Sequence, residues 1–350
     1  MEDLAFLSIV RRVGRADGAC AHWYAMKSTL SFLMLLGACG TSGTGPDTTG
    51  VDTALVDVPL ATRTVFVIPM ENESASAIYG DVKNAPYLNG TLMPMAAYAT
   101  SFTDSLPKSL PSEPHYVWLE AGTNKFSDKT FTNDDNASAS NSTASTAHLS
   151  TQLEEAGLGW MSYQEGMTEG TCPITSISST KYAAKHDPFV FFQDVAGSPP
   201  SAASGTCISH HKPYSSFASD LANGQLPAYV FITPNLCNDM HGASGCPSGS
   251  NVKTGDSWLA SQMPAIIDYA YTHDSVIYIV WDEGSDNQTI PFLALGPHVK
   301  AGASTTNYTH SSILKSVEQQ LGVDPLPTVD NATTFEDLFK NNAGYLATMP

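Results

Sequence analysis

A chain of 350 residues can bury a full core, as one large α/β domain or as two small ones. Charged residues make up only 14%, but 34 Asp+Glu against 16 Lys+Arg leave a net charge of −18. That sign repels nucleic acid and other anionic polymers at long range, which argues against a DNA- or RNA-binding role. A small phosphate ester is still accommodated wherever a metal inverts the local field.

The chain opens on a targeting pattern. Met26-Lys27-Ser28-Thr29 precedes an apolar stretch, Leu30 to Leu36, too short to span a bilayer as a helix, and then Gly37-Ala38-Cys39-Gly40. Leu36-Gly37-Ala38-Cys39 resembles the lipobox of bacterial lipoproteins, in which the Cys is lipidated and becomes the first mature residue; the alternative is an ordinary signal peptide with an incidental Cys. Residues 1–39 are therefore expected to be a signal and lipoprotein segment with its true start at Met26. The Gly/Thr-rich residues 40–60 are expected to be a flexible tether, and residues 61–350 the folded domain. Such a protein is exported and held at the bacterial cell envelope by a lipid anchor alone. Export implies an oxidising compartment, where Cys172, Cys207, Cys237 and Cys246 can pair. Proximity in sequence favours Cys172–Cys207 and Cys237–Cys246 among the three connectivities.

Strand and helix signals then alternate. A strand is expected over about 63–69, a helix after Pro86 carrying Leu88, Leu92, Met95 and Ala96, and a helix from about Ser112 to Gly122. Residues 127–146 are polar and read as a surface excursion lining or covering a site. A helix near 146–156 and a strand at 159–164 precede a Gly/Ser/Thr/Pro-rich insertion over 166–213, tied by a disulfide, whose His210-His211 is expected at the surface. Helix 214–223, strand 228–233, helix 256–272 with Asp256 as N-cap, strands 276–281 and 291–295 and helix 308–321 follow. The alternation predicts a three-layer α/β/α sandwich on a mostly parallel sheet.

Three of these runs share a feature. Val65 to Ile68 leads to Glu71 and Asn72; Tyr229 to Ile232 leads to Asn235, Asp239 and His241; Val276 to Trp281 leads to Asp282 and Glu283. Continuous apolar runs fit strands buried on both faces, and ligands bind at the carboxyl edge of such sheets. Oxygen and imidazole donors gathered there suit Ca²⁺, Mg²⁺, Mn²⁺ or Zn²⁺, so a metal-dependent hydrolase is expected. Taken alone, Asp282-Glu283-Gly284 is equally an N-cap and turn. Ser112, before an apparent helix, is either a plain N-cap or a nucleophile that presents phosphate to helix amides.

Nine stretches in order over roughly residues 63–322 carry a resemblance. They include VFVIPMENES, LPSEPHY with AGTN, KHDPFVFF, PAYVFITPNLCNDMHG, VIYIVWDEGSDN and YTHSSILKSVEQQLG. The chain resembles the phosphoesterase family of the alkaline-phosphatase superfamily, which includes bacterial acid phosphatases and non-haemolytic phospholipases C. The resemblance implies an alkaline-phosphatase-like fold with Ser112 as a nucleophile that is phosphorylated and then released by water. It implies Glu71, Asn72, Ser112, Asp282 and Glu283 as metal ligands, with His186 and His241 around the phosphoryl oxygens. Asp239 would orient His241 or ligate a second metal.

The chain departs from the family's usual Pro-Ser-Leu-Pro-Asn-Tyr at Glu113 and His115, which sets an imidazole where an amide would meet phosphate. His310 is either a third imidazole near the site or a plain helix N-terminal residue. The expected activity is hydrolysis of phosphomonoesters. Its alternatives are a phospholipase C cutting phospholipid headgroups and a non-enzymatic lipoprotein that binds without turnover.

Overall fold

The computed structural model describes residues 59, 61, 63–285 and 289–340. The expected signal and lipoprotein segment, with Met26 and Cys39, lies outside the described residues, as does the expected tether except for Pro59.

Among the described residues eight strands form one sheet: β1 (Val65–Met70), β2 (Ala97–Ala99), β3 (Trp160–Gln164), β4 (His211–Pro213), β5 (Tyr229–Thr233), β6 (Val276–Trp281), β7 (Phe292–Leu295) and β8 (Gly302–Ser304). Their order is β4-β3-β5-β1-β6-β7-β2-β8. The pairs from β4 to β6 are all parallel, and only β7 runs against its two neighbours. The mostly parallel α/β sheet expected from the strand–helix alternation is what forms.

The central strands are apolar along their length because both faces are covered. On one face Phe66 meets Phe217 and Tyr269 edge-on, with ring centroids 6.4 and 5.9 Å apart. On the other Phe231 meets Tyr116 and Phe189 at 6.4 and 5.4 Å. Each fully buried side chain of this size contributes roughly 1.5–3 kcal/mol. Phe217 and Tyr269 belong to helices Phe217–Ala222 and Asn251–Thr272, and Tyr116 to helix Ser112–Ala121.

Several local expectations are corrected. The helix expected after Pro86 forms, but it widens to a π-turn over Leu88–Leu92 before Met93–Met95, and Ala96 is its C-cap. Asp256 is not an N-cap. Ser250 caps the helix, and Asp256, one and a half turns in, accepts from the amides of Tyr87 and Leu88 at 3.0 and 2.8 Å. The insertion ends in a strand of the sheet, β4. His210 and His211 are buried: His210 stacks on Trp160 at 4.3 Å and His211 pairs with Asp187 at 3.1 Å. Disulfides join Cys172 to Cys207 and Cys237 to Cys246. No helix among the described residues is long and apolar enough to cross a membrane.

Candidate active site

The register of the sheet builds the site. Met70 of β1 lies beside Trp281 of β6, so the next residues, Glu71 and Asp282, emerge together at the carboxyl edge. The Asp282 amide donates to Met70 O at 3.0 Å, and the Glu71 amide to Asp239 O at 2.8 Å, which draws the loop after β5 to the same edge. Glu71, Asp239 and Asp282 are fully buried. Asn72 takes the left-handed conformation (φ 54°), which Asn tolerates better than most residues. That turn lets its amide donate to Asp282 Oδ1 at 3.1 Å while its side-chain nitrogen donates to Glu71 Oε2 at 3.2 Å.

Ser112 is the first residue of its helix, and Pro111 holds the N-cap position. The reading of Ser112 as a plain cap therefore does not hold. Its hydroxyl instead donates to Glu71 Oε2 at 3.2 Å. His186 lies between two carboxylates, with Nε2 3.2 Å from Glu71 Oε1 and Nδ1 3.4 Å from Asp239 Oδ2. Tyr116, one turn after Ser112, stacks flat on its ring at 4.8 Å, and Thr233 at the end of β5 donates to its carbonyl. His241 lies with its ring 5.9 Å from that of His186. Its amide donates to Asp239 Oδ1 at 2.8 Å and its Nδ1 donates to Gly242 O at 2.7 Å. Between Asp239 and His241, buried Met240 holds φ 82°, an uncommon conformation for a side-chain-bearing residue and one that re-aims both neighbours.

Glu71, Ser112, Asn72, Asp282, His186, Asp239 and His241 are thus brought together. Glu283 is half-buried beside Asp282, and its carboxyl is pushed up to about 8 by burial and by that neighbour. Asn235 is not part of the site; its side chain accepts from the amides of Cys237 and Asn238 in a tight turn. His115 does not replace the phosphate-binding amide. Its Nδ1 meets Asp104 Oδ1 at 2.9 Å and its Nε2 faces Leu110 O at 3.3 Å, so both ring nitrogens are engaged. His310 is similarly turned inward, with Nε2 2.9 Å from Trp281 O. Glu113 anchors the 127–146 excursion, accepting from the amide of Asp135 at 2.7 Å and from the side chain of Asn141 at 3.1 Å.

Two groups were not singled out from the sequence. Lys185 pairs with Asp134 and acts electrostatically on Glu71 and Asp282; its only signal was adjacency to His186 in KHDPFVFF. Tyr116 could have been found as the residue one helical turn beyond Ser112.

The electrostatics point to a cation. Burial, reinforced by Asp282 and Asp239, raises the Glu71 carboxyl well above the usual range. Burial does the same for Asp239 and raises Asp282. Burial, with Lys185 and His241, holds the His186 imidazole well below its ordinary value. Glu71 Oε1, Asp239 Oδ2 and Asp282 Oδ2 are buried without a hydrogen-bond partner, and the His186 ring approaches the first two without hydrogen-bond geometry. Three crowded carboxylates with orphaned oxygens fit a divalent ion, whose charge would restore their ionised state. Glu71, His186 and Asp239 each offer one donor atom, all within 4.8 Å of one another.

A phosphoesterase-family model matches residues 93–324. The chain is 31% identical over 277 residues to the phosphatidylinositol-3-phosphatase of Mycobacterium tuberculosis, covering 79% of this chain and 82% of that one. It is 26% identical over 265 residues to an acid phosphatase of Aspergillus fumigatus, and 27% over 272 to the phosphate-repressible acid phosphatase of Penicillium chrysogenum. These matches cover 72% and 74% of this chain but only 55% and 61% of the fungal enzymes. A solved Bacteroides thetaiotaomicron structure, described in connection with glycosaminoglycan metabolism, shares the fold at a TM-score of 0.52 and 11% identity over 82% of each chain. The chain belongs to the phosphoesterase family, hydrolases of phosphoric ester bonds.

Proposed function

We propose that the protein is a metal-dependent phosphomonoesterase in which Ser112 is phosphorylated and then freed by water. One observation carries the reading most directly. Ser112 opens a helix without capping it, and its hydroxyl is turned to a buried carboxylate. A phosphoryl group placed there faces the positive end of the helix.

Glu71, Asn72, Ser112, Asp282 and Glu283, with Asp239 and His186 beside them, would hold a divalent ion. Bound there, it would neutralise phosphoryl charge and lower the effective pKa of the serine hydroxyl. Glu71 Oε2 orients Ser112 Oγ for in-line attack on phosphorus and takes up the hydroxyl proton. The new Oγ–P bond forms as the ester P–O bond breaks, and the leaving oxygen takes up a proton. His241 would supply it: Nδ1–H is fixed on Gly242 O, which leaves Nε2 as the exchanging atom. His186 is kept neutral and flat against Tyr116, which leaves a ring nitrogen able to join Glu71 and Asp239 around the ion. Water attack on phosphoserine passes a water proton to His241, and the freed Ser112 oxygen recovers its proton from Glu71.

The relatives, a phosphatidylinositol-3-phosphatase and acid phosphatases, support a monoester substrate over the diester of a phospholipase C. The test is hydrolysis of p-nitrophenyl phosphate, its bis-ester and phosphatidylcholine, with and without chelator, by the wild type and Ser112→Ala. Chelator-sensitive turnover of the monoester, lost by orders of magnitude in Ser112→Ala with the fold intact, supports the proposal. Preference for the bis-ester or phosphatidylcholine would replace it with a phosphodiesterase. No turnover of any substrate with metals added back would replace it with a binding role.

A further inference from the structure

Beside the reaction centre lies a second cluster that the proposed chemistry does not use: Asp104, His115 and His310. His115 sits one helical turn beyond Ser112, and His310 opens helix His310–Leu321. Both rings are completely buried.

The ring nitrogens facing away from the cluster define the tautomers. Nε2 of His115 faces Leu110 O at 3.3 Å and Nε2 of His310 faces Trp281 O at 2.9 Å. A carbonyl only accepts, so each Nε2 carries its hydrogen and a neutral ring presents a bare Nδ1. Both Nδ1 atoms converge on Asp104 Oδ1, at 2.9 Å from His115 and 3.5 Å from His310. The amide of Ser105 also points at His310 Nδ1, at 3.5 Å, as it would at an acceptor. Asp104 Oδ2 is buried without a hydrogen-bond partner. With both rings neutral, three acceptors are directed at one point, an arrangement that either a bound cation or a proton on His115 Nδ1 relieves.

The spacing suits a transition-metal ion. Bonds of about 2.0–2.1 Å in tetrahedral geometry place ligand atoms roughly 3.3 Å apart, and the two observed separations bracket that distance. Histidines that ligate a metal through one nitrogen commonly donate the other N–H to a backbone carbonyl, as both rings do here. Two neutral imidazoles and one carboxylate form a mixed N/O set that suits Zn²⁺ over Ca²⁺ or Mg²⁺.

We propose that Asp104, His115 and His310 form a second divalent-cation site, of Zn²⁺ type, separate from the Glu71 centre. It adds positive charge behind Asp282, since His310 is bonded to the carbonyl of the preceding Trp281. Its existence does not depend on the Ser112 reaction.

The experiment measures Zn²⁺ equivalents and Co²⁺ absorption in the full chain, in Asp104→Asn, in His310→Gln and in Glu71→Gln. Asp104→Asn and His310→Gln are each expected to hold one equivalent fewer than wild type and to lose one Co²⁺ visible band. Glu71→Gln is expected to keep that band, so failure of the first centre and failure of this one give different results. Equal metal content and spectra in wild type, Asp104→Asn and His310→Gln would overturn the site. In case the variants misfold, ¹⁵N NMR of the wild-type imidazoles gives a second reading. Zn²⁺ should shift the Nδ1 resonances of His115 and His310, whereas Nδ1–H protons persisting in excess Zn²⁺ would identify a charged histidine pair instead.

Discussion

The hydroxyl of Ser112 donates to Glu71 Oε2 across 3.2 Å, joining residues 41 positions apart in sequence. Glu71→Gln preserves the shape and leaves an oxygen for that hydroxyl but removes the charge. Turnover should fall at least about 100-fold and metal retention should drop. The melting temperature should stay level or rise, because a crowded buried carboxylate has been neutralised. Assay, metal analysis and calorimetry on one preparation check all three; full activity with metal retained would sink the ligand assignment.

Lys185 brings positive charge to an acidic site while tied to Asp134. A unit charge acting over several ångströms near a protein surface is worth on the order of 1–2 kcal/mol, about tenfold in binding. Lys185→Met should therefore raise KM for a phosphomonoester about tenfold and change kcat less. Steady-state kinetics at two salt concentrations tests this, with the wild-type advantage shrinking at high salt. An unchanged KM would show that the ammonium serves only Asp134.

Gly255 lies inside the Asn251–Thr272 helix, where Gly→Ala ordinarily stabilises by about 0.5–1 kcal/mol. Here a Cβ would lie 2.4 Å from Met240 Cγ and 3.0 Å from Asn238 O. Met240 is the left-handed residue between Asp239 and His241. Gly255→Ala should destabilise by about 1–3 kcal/mol and reduce turnover by shifting both neighbours. Denaturant unfolding with parallel assays reads it, and a stabilised, fully active variant would refute the coupling.

His148 is buried between Glu120 and Asp194, at 3.0 and 2.9 Å. Burial alone would lower its imidazole, but hydrogen bonds to Asp194 and Glu120, and their charges, raise it to about 9. A folded-state value above the unfolded value of about 6.5 gives stabilisation fully present below pH ~6.5. That stabilisation is lost as pH rises through about 9. Glu318, pushed up to about 7 by burial, adds an earlier loss between its unfolded value and about 7. Melting temperature should thus fall by several degrees from pH 6 to 9.5, and His148→Gln should flatten only the upper limb.

The central strands were legible because strands buried on both faces are written as unbroken apolar runs, and the acidic residues ending them marked the edge where the candidate site forms. The short strands β2, β4 and β8 were not, since three residues carry too little periodicity to register. His210 and His211 misled because a Gly/Ser-rich neighbourhood reads as surface, whereas Trp160 and Asp187 give both rings buried partners. Ser112 looked like a cap from composition, and only the direction of its hydroxyl decides otherwise. Asp104, Tyr116 and Lys185 owe their roles to contacts that no spacing rule encodes.

The two disulfides enclose the loops that bring His186 and Asp239 to the site: Cys172–Cys207 spans the first, and Cys237–Cys246 the second. Glu71 and Asp282, by contrast, directly follow the paired strands β1 and β6. Closing a 35-residue loop removes about 3–4 kcal/mol of chain entropy from the unfolded state. In a reducing compartment the chain could complete its sheet yet leave the loops carrying His186 and Asp239 loosely held. Assembly of the Glu71 centre would then depend on oxidation of both cysteine pairs.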